Sequence, residues 1–416
     1  MFEGLIAAFK NDSLRKKLLF TAMILLLYRI GVVIPAPFVN VDAIGSAIQN
    51  AGLMEMLNVM SGGALNQASL FALGISPYIN ASIIVQLLTI AIPALERMKK
   101  EEDGQKKINK ITRYLTIALA LIMGYGYFTI IDAGGILAEK TFFTGLIMVA
   151  AFTAGACLVM WLGEKIDEHG IGNGISMILF AGIVSQGQQM LSLIVNDIRN
   201  GNYIAPVVMV VIALLMLVGI IFVNGAERRI PVQYAKRVVG RKMFGGNQSH
   251  LPMKVLMTGV MPIIFASSFC MLPSTIASFM KTNGFTTWVE KYFTTQSPLY
   301  GILFFVLIIF FNYFYVSVSY DPVEISNNLQ RNGGSIPGIR PGEPTVNYIK
   351  KSLNKITLMG AIFLGIISII PMVATAFGVN FAVSGNSMLI AVSIILETAM
   401  VIESQVSMRH YKGFLG

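Results

Sequence analysis

Charge is scarce in this chain. Lys, Arg, Asp and Glu make up 12% of its 416 residues, about half the ~25% share of a soluble domain, while 55% are hydrophobic. No stretch is polar enough to form a soluble domain, so the composition is that of an all-α integral membrane protein with many spans. Cysteine is scarcer still. Cys157 and Cys270 stand in separate apolar segments, with no partners at a spacing that makes a disulfide framework or a thiolate site. The three histidines, His169, His250 and His410, fall in polar loops or the tail, and none is spaced to share a metal with another. No G-x-x-x-x-G-K-[ST] stretch occurs, so any energy from nucleotide must come through another protein. Neither a Ser/His/Asp set nor a carboxylate pair stands out. The expectation is no enzyme, no cofactor and no metal.

Long apolar runs are what the chain has instead. They occupy 18–34, 56–95, 114–131, 141–162, 171–195, 205–223, 255–280, 298–320 and 356–396. Two of them are too long for one span of about 20 residues. Positive charge favours the cytoplasmic side of short loops, and here it is strongly uneven. Basic residues crowd at Lys10 to Lys17, Arg97 to Arg113, 228–254 and 331–355, whereas the intervening loops hold only Lys140, Arg199, Lys281 and Lys291. The 56–95 run has one basic flank and one, 35–55, without Lys or Arg, so it crosses once. The 356–396 run has two basic flanks, so it crosses twice, with Pro371, Gly378, Gly385 and Asn386 marking its turn. Ten spans result, with both termini cytoplasmic. Five spans leave the chain on the far side, so a second five are built upside down relative to the first. The expected domains are 1–200 and 201–416, an inverted pair of pseudo-symmetric five-helix halves on topology alone.

If 56–95 crosses once, 77–92 is the span and 59–73 is left over. Gly62, Gly63, Asn66, Gln67 and Ser69 make that remainder a poor surface for lipid. Irregular segments at membrane depth are tolerated where protein or a water-filled cavity encloses them. The segment reads as a re-entrant half-helix hinged at 74–77, or else as a loop on the membrane surface. Intramembrane acids and bases, usual in ion-coupled carriers, reduce here to Arg29 and Glu397, each within reach of an interface. "GIGNGIS" (170–176) looks like a nucleotide loop but follows a helix rather than a strand, so a phosphate role is not expected. The loop "ERRIPVQYAKRVVGRKMFGGNQSHLPMK" alternates basic with β-branched and aromatic residues, and "GGSIPGIRPGEPT" is stiffened by prolines around one arginine. Two ordered basic loops on one face suggest a large acidic partner.

With these residues the sequence resembles the SecY family, the bacterial protein-translocation channels. The resemblance rests on "RIGVVIPAP", "SGGALNQASLFALGISPYINASIIVQLL", "GIGNGISMILFAGIV", "ERRIPVQYAKR", "HLPMKVLMTGVMPIIFASS" and "GIRPGE", in the family's order and spread over nearly the whole chain. It implies two five-helix halves around a central pore in a bacterial plasma membrane. Residues 61–73 would be the plug, with Ser61, Gly62, Gly63, Asn66, Gln67 and Ser69 in it. The pore ring would be Ile79, Ile83, Leu179, Ile264 and Ile390; Leu179 departs from the isoleucine usual there. A lateral gate would run around Gln86, Ser267 and Ser268. Lys236, Arg237, Arg241, Lys242 and Arg340 would dock the SecA ATPase or the ribosome. The implied partners are SecE, SecG, SecA, the ribosome, signal peptides, precursor polypeptides and membrane lipid.

On the residues alone two functions compete. A channel sealed by apolar side chains suits the missing buried charge. A secondary transporter of a small solute suits the inverted plan and the broken helix, and would rely on Glu397. A structural scaffold would have no use for a plug.

Overall fold

A computed structural model describes residue 9 and residues 11–39, 64, 68–133, 137, 141–185, 187–234, 237–239, 242–244, 248–278, 283–293, 297–379 and 385–412. The first helix, α1 (Asp12–Val33), is capped by the Asn11 side chain, which accepts from Ser13 N, and it stops just before Pro35. Prolines and capping residues set most of the other boundaries. Helix α2 (Ser76–Ala91) has Pro77 in its first turn, where a missing N–H costs nothing. Pro93 then starts α3 (Pro93–Lys100) after a bend of 107°. The chain continues through α4 (Gly104–Ala133), α5 (Phe142–His169), α6 (Gly174–Ser185), α7 (Gly187–Arg199) and α8 (Ile204–Gly225). After a loop with four strands come α9 (Met261–Ser278), α10 (Gly284–Tyr292), α11 (Pro298–Ser319), α12 (Pro322–Arg331), α13 (Glu343–Ala376) and α14 (Gly385–Lys412).

Among the described residues, seven helices are long and apolar enough to cross a membrane, or eight if α2 and α3 count as one broken span. Helices α1 and α9 lie where two more spans were expected. The charges of Asp12, Arg15, Lys16, Lys17 and Arg29 dilute α1, and the apolar part of α9 is only Met261–Cys270. Packing joins α2, α4 and α5 to one another, with α1 and α6 against α5. Helices α9 and α13 flank α11, α8 and α13 contact α14, and α14 meets α6.

Three boundaries differ from the sequence expectation. Residues 255–260 are turns rather than the start of a span, because Gly259 takes φ +56°, a value that suits glycine. Pro371 lies inside α13, and the turn comes later, at Gly378 with φ +84°. The described part of the expected half-helix, 68–75, forms successive turns: Ala72 N donates to Ser69 O, Gly74 N to Phe71 O and Ser76 N to Leu73 O. Ala68 and Gly74 both sit at positive φ, which an α-helix does not allow.

That turn segment is held tightly. A bridge pairs Pro35 with Ser69, Ala36 N donating to Ala68 O at 2.8 Å and Leu70 N to Ile34 O at 2.9 Å. Phe71 stacks on Tyr28, centroids 6.1 Å apart. Two glycines make this possible: a Cβ at Gly31 would strike the Phe71 ring, and one at Gly155 would strike the Leu70 carbonyl. The side chains divide between two apolar clusters, Phe71 and Ile75 facing Tyr28 and Ile79, and Ala68, Ala72 and Leu73 facing Tyr127, Met148 and Phe152.

The two basic loops carry strands as well as the short helix α12, which corrects the all-α expectation outside the apolar segments. Strand β1 (Glu227–Tyr234) pairs antiparallel with both β4 (Gln248–Lys254) and β5 (Gly334–Ser335), so the two basic loops share one three-stranded sheet. Strands β2 (Arg237–Val239) and β3 (Lys242–Phe244) form a separate hairpin. Alternation in β1 buries Ile230 and Val232, and these join Leu329, Ile336, Ile349 and Leu353 in a small core of their own.

Candidate functional site

Ile79 and Ile83 stand one turn apart on α2 and so share a face. Both are buried, as are Leu179 on α6 and Ile264 on α9, at 6–7% exposure. These four belong to one apolar cluster, and half-buried Ile390 of α14 packs against it. The structure therefore gathers all five expected ring residues, from four helices, onto one body of apolar side chains. Phe71 and Ile75 of the turn segment are in that cluster too. A site lined this way offers no acid, base or nucleophile. What it can do is exclude water and ions until something apolar or extended displaces it.

The expected plug residues are only partly within view. Ser61, Gly62, Gly63, Asn66 and Gln67 lie outside the described residues. Ser69 is fully buried, and its hydroxyl has no hydrogen-bond partner among the described residues. Gln86 is half-buried on α2. Ser267 is buried, and its hydroxyl donates to the carbonyl of Ile264, an expected ring residue, at 2.8 Å, bonding within its own helix rather than across to another. Ser268 is half-buried beside it.

On the loops, Arg340 is exposed in a turn with Gly338 at φ +81° and Gly342 at φ +97°, and its carbonyl accepts from Thr345 Oγ1 at 2.9 Å. Arg237 and Lys242 open β2 and β3; Lys236 and Arg241 lie outside the described residues. The glycines of 170–176 serve packing. A Cβ at Gly174 would strike the Gly163 carbonyl, Gly174 N donates to Asp167 Oδ1 at 2.7 Å, and Ile171 N to Thr21 Oγ1 at 3.1 Å. Glu397, on which a carrier would rely, is exposed on α14. Among the described residues no group of His, Cys, Asp and Glu is arranged to hold a metal ion. Cys157 is half-buried and Cys270 buried, both as free thiols.

Sequence reasoning missed the two close-approach glycines, Gly31 and Gly155. It also missed the fusion of the loops through β1. The only sequence sign of that fusion is the alternation in "RIPVQY".

The family model for SecY matches residues 69–399. Protein translocase subunit SecY of Streptomyces galbus is 44% identical over 436 residues, with 100% of both chains covered. The same subunit of Mycobacterium tuberculosis is 40% identical over 447 residues, again with 100% of both. Among solved structures, a protein-conducting channel matches with TM-score 0.66 at 18% identity, covering 93% of this chain and 91% of its own. A SecY channel, described as having a plug domain that stabilises its closed state and maintains a membrane seal, matches with TM-score 0.67 at 17% identity over the same shares. Canine Sec61 in a ribosome–channel complex gives TM-score 0.62 at 16% identity, also over 93% and 91%.

Proposed function

Since the chain belongs to the SecY family, we propose that Ile79, Ile83, Leu179, Ile264 and Ile390 form the ring that closes its pore. It is a multi-pass membrane protein and the protein-conducting channel subunit of the translocase. The observation that carries the ring is the convergence of these side chains on one apolar cluster. A narrow apolar constriction dewets and blocks small solutes, and it yields around a polypeptide because nothing charged or covalent holds it shut.

Residues 61–73 act as the plug against this ring. Its root, 68–73, is fastened by main-chain bonds and the Phe71–Tyr28 stack. Helices α2 and α9, carrying Gln86, Ser267 and Ser268, border the lateral gate. A signal peptide's apolar core wedges there, and hydrophobic segments leave sideways into lipid according to the insertion free energies of their residues.

Ten spans in two inverted halves, 1–200 and 201–416, fit the packing of α1, α2, α4, α5 and α6 in one group and α8, α9, α11, α13 and α14 in another. The charge asymmetry puts both termini and the sheet-bearing loops on the cytoplasmic side of a bacterial plasma membrane. SecE and SecG accompany the chain. The SecA ATPase or the ribosome docks on the basic loops, which the shared sheet presents as one surface.

Arg340→Glu tests the docking role. The exposed guanidinium sits on a turn rigid enough to survive the change, so charge reversal acts on the partner and not on the fold. SecA-driven precursor transport is expected to fall at least about tenfold, the equivalent of ~1.4 kcal/mol, with small-ion leak unaltered. Transport at the unmodified rate would remove Arg340 from the docking surface.

A further inference from the structure

Helix α9 begins only at Met261, and the turns before it are fastened from several sides. Val255 N donates to Ala226 O at the end of α8, at 2.9 Å. The Val255 carbonyl lies 2.6 Å from where a Cβ on Gly360 of α13 would be, so only glycine admits it there. Tyr320 Oη donates to Met257 O at 3.3 Å. Thr258 Oγ1 donates to Asn312 Oδ1 at 2.7 Å, and Asn312 Nδ2 donates to the Thr357 carbonyl at 2.9 Å. Asn312 is 3% exposed, Thr258 6% and Thr357 2%.

Asn312 is an expensive residue in its place. It interrupts the apolar run "GILFFVLIIFFNYFYV" of α11, where an unpaired carboxamide is costly. Its oxygen and its nitrogen are both engaged, one with the turn before α9 and the other with α13. Gly259, with φ +56°, follows Thr258 directly. Beyond it, α9 carries Pro273 within the helix and exposes Phe269, Leu272 and Ile276. The loop-side end of α9 is bolted by these bonds.

We propose that Thr258, Asn312 and Thr357 form a polar clamp that fixes the loop-side end of α9 to α11 and α13, making Gly259 the pivot about which α9 swings. The clamp residues are positioning residues: they act on the ring and gate through Ile264 and Ser267, and they set how strongly the closed channel rejects a poor signal peptide. This rests on the assignment of α9 to the gate.

The test compares Thr258→Val, which keeps the shape but strands Asn312 Oδ1, with Thr258→Ser, which keeps the hydroxyl. The assembled complex in vesicles is scored for transport of a precursor with a defective signal peptide relative to one with an intact signal. Thr258→Val is expected to raise that ratio about tenfold and Thr258→Ser to leave it unchanged. Tyr320→Phe, which loses a single weaker bond to the same turn, is expected to raise it about threefold, and it decides the matter if Thr258→Val does not assemble. Ile264→Asn runs beside them. A raised ratio in Ile264→Asn alone overturns the clamp and leaves the gate. A ratio unchanged in every variant overturns the gate assignment and the clamp with it.

Discussion

Replacing Ile83 or Ile264 by asparagine is expected to loosen the closed channel and admit precursors whose signal peptides are defective. Each isoleucine is nearly fully buried in the shared cluster. Burying such a side chain is worth about 1.5–3 kcal/mol, and leaving a carboxamide there without a partner costs a further ~1–3 kcal/mol. On the proposed ring both terms fall on the closed state, because an open pore would expose these side chains to water or a passing polypeptide. A shift of ~1.4 kcal/mol is tenfold in population, so the burial term alone should raise transport of a defective precursor on the order of ten- to a hundredfold, and the stranded carboxamide adds to it. Transport of an intact precursor should change little. Leu→Ile at position 179 conserves volume and should be nearly silent by the same measure. Unchanged signal stringency in both asparagine variants would mean that the cluster is ordinary core and not a seal.

Deletion of residues 61–73 carries the second large effect, this time on small ions. The deletion removes Phe71 from its stack on Tyr28, and it removes the Ala36–Ala68 and Leu70–Ile34 main-chain bonds. Small-ion leak through vesicles is expected to rise on the order of tenfold or more, with precursor transport retained. Phe71→Ala separates plugging from packing. It leaves the chain length intact but empties the space between Gly31 and Ile75, at a cost of about 3–5 kcal/mol, and should give an intermediate leak. Leak at the unmodified level in both variants would mean that 61–73 does not seal the pore.

Much of the frame was legible before any coordinates. Apolar runs locate the helices because each span must satisfy its own backbone, and α4, α5, α8, α11 and α14 fall where the hydropathy puts them. What escaped is what depends on partners distant in sequence. Residues 255–260 are apolar enough to read as span, yet Gly259, the bonds to Ala226, Asn312 and Tyr320 and the close approach of Gly360 hold them as turns. Residues 68–73 read as part of a re-entrant half-helix or a surface loop, whereas Ala68 and Gly74 take positive φ and Leu70 and Phe71 pack closely on Gly155 and Gly31. The pairing of Gln233 with Ser335, which makes two loops one surface, joins segments with no local trace of each other. For the site, the ring residues came from motif resemblance; no periodicity in α6 or α14 singles out Leu179 or Ile390.

The most direct measurement is protease-protected arrival of a signal-bearing precursor inside vesicles containing this protein with SecE, driven by SecA and ATP. The channel account predicts ATP-dependent arrival with the intact signal peptide, and its loss when the signal's apolar core is broken by a charge. Failure of the precursor to arrive, alongside uptake of a small solute that is abolished by Glu397→Gln, would contradict it and make the protein a carrier.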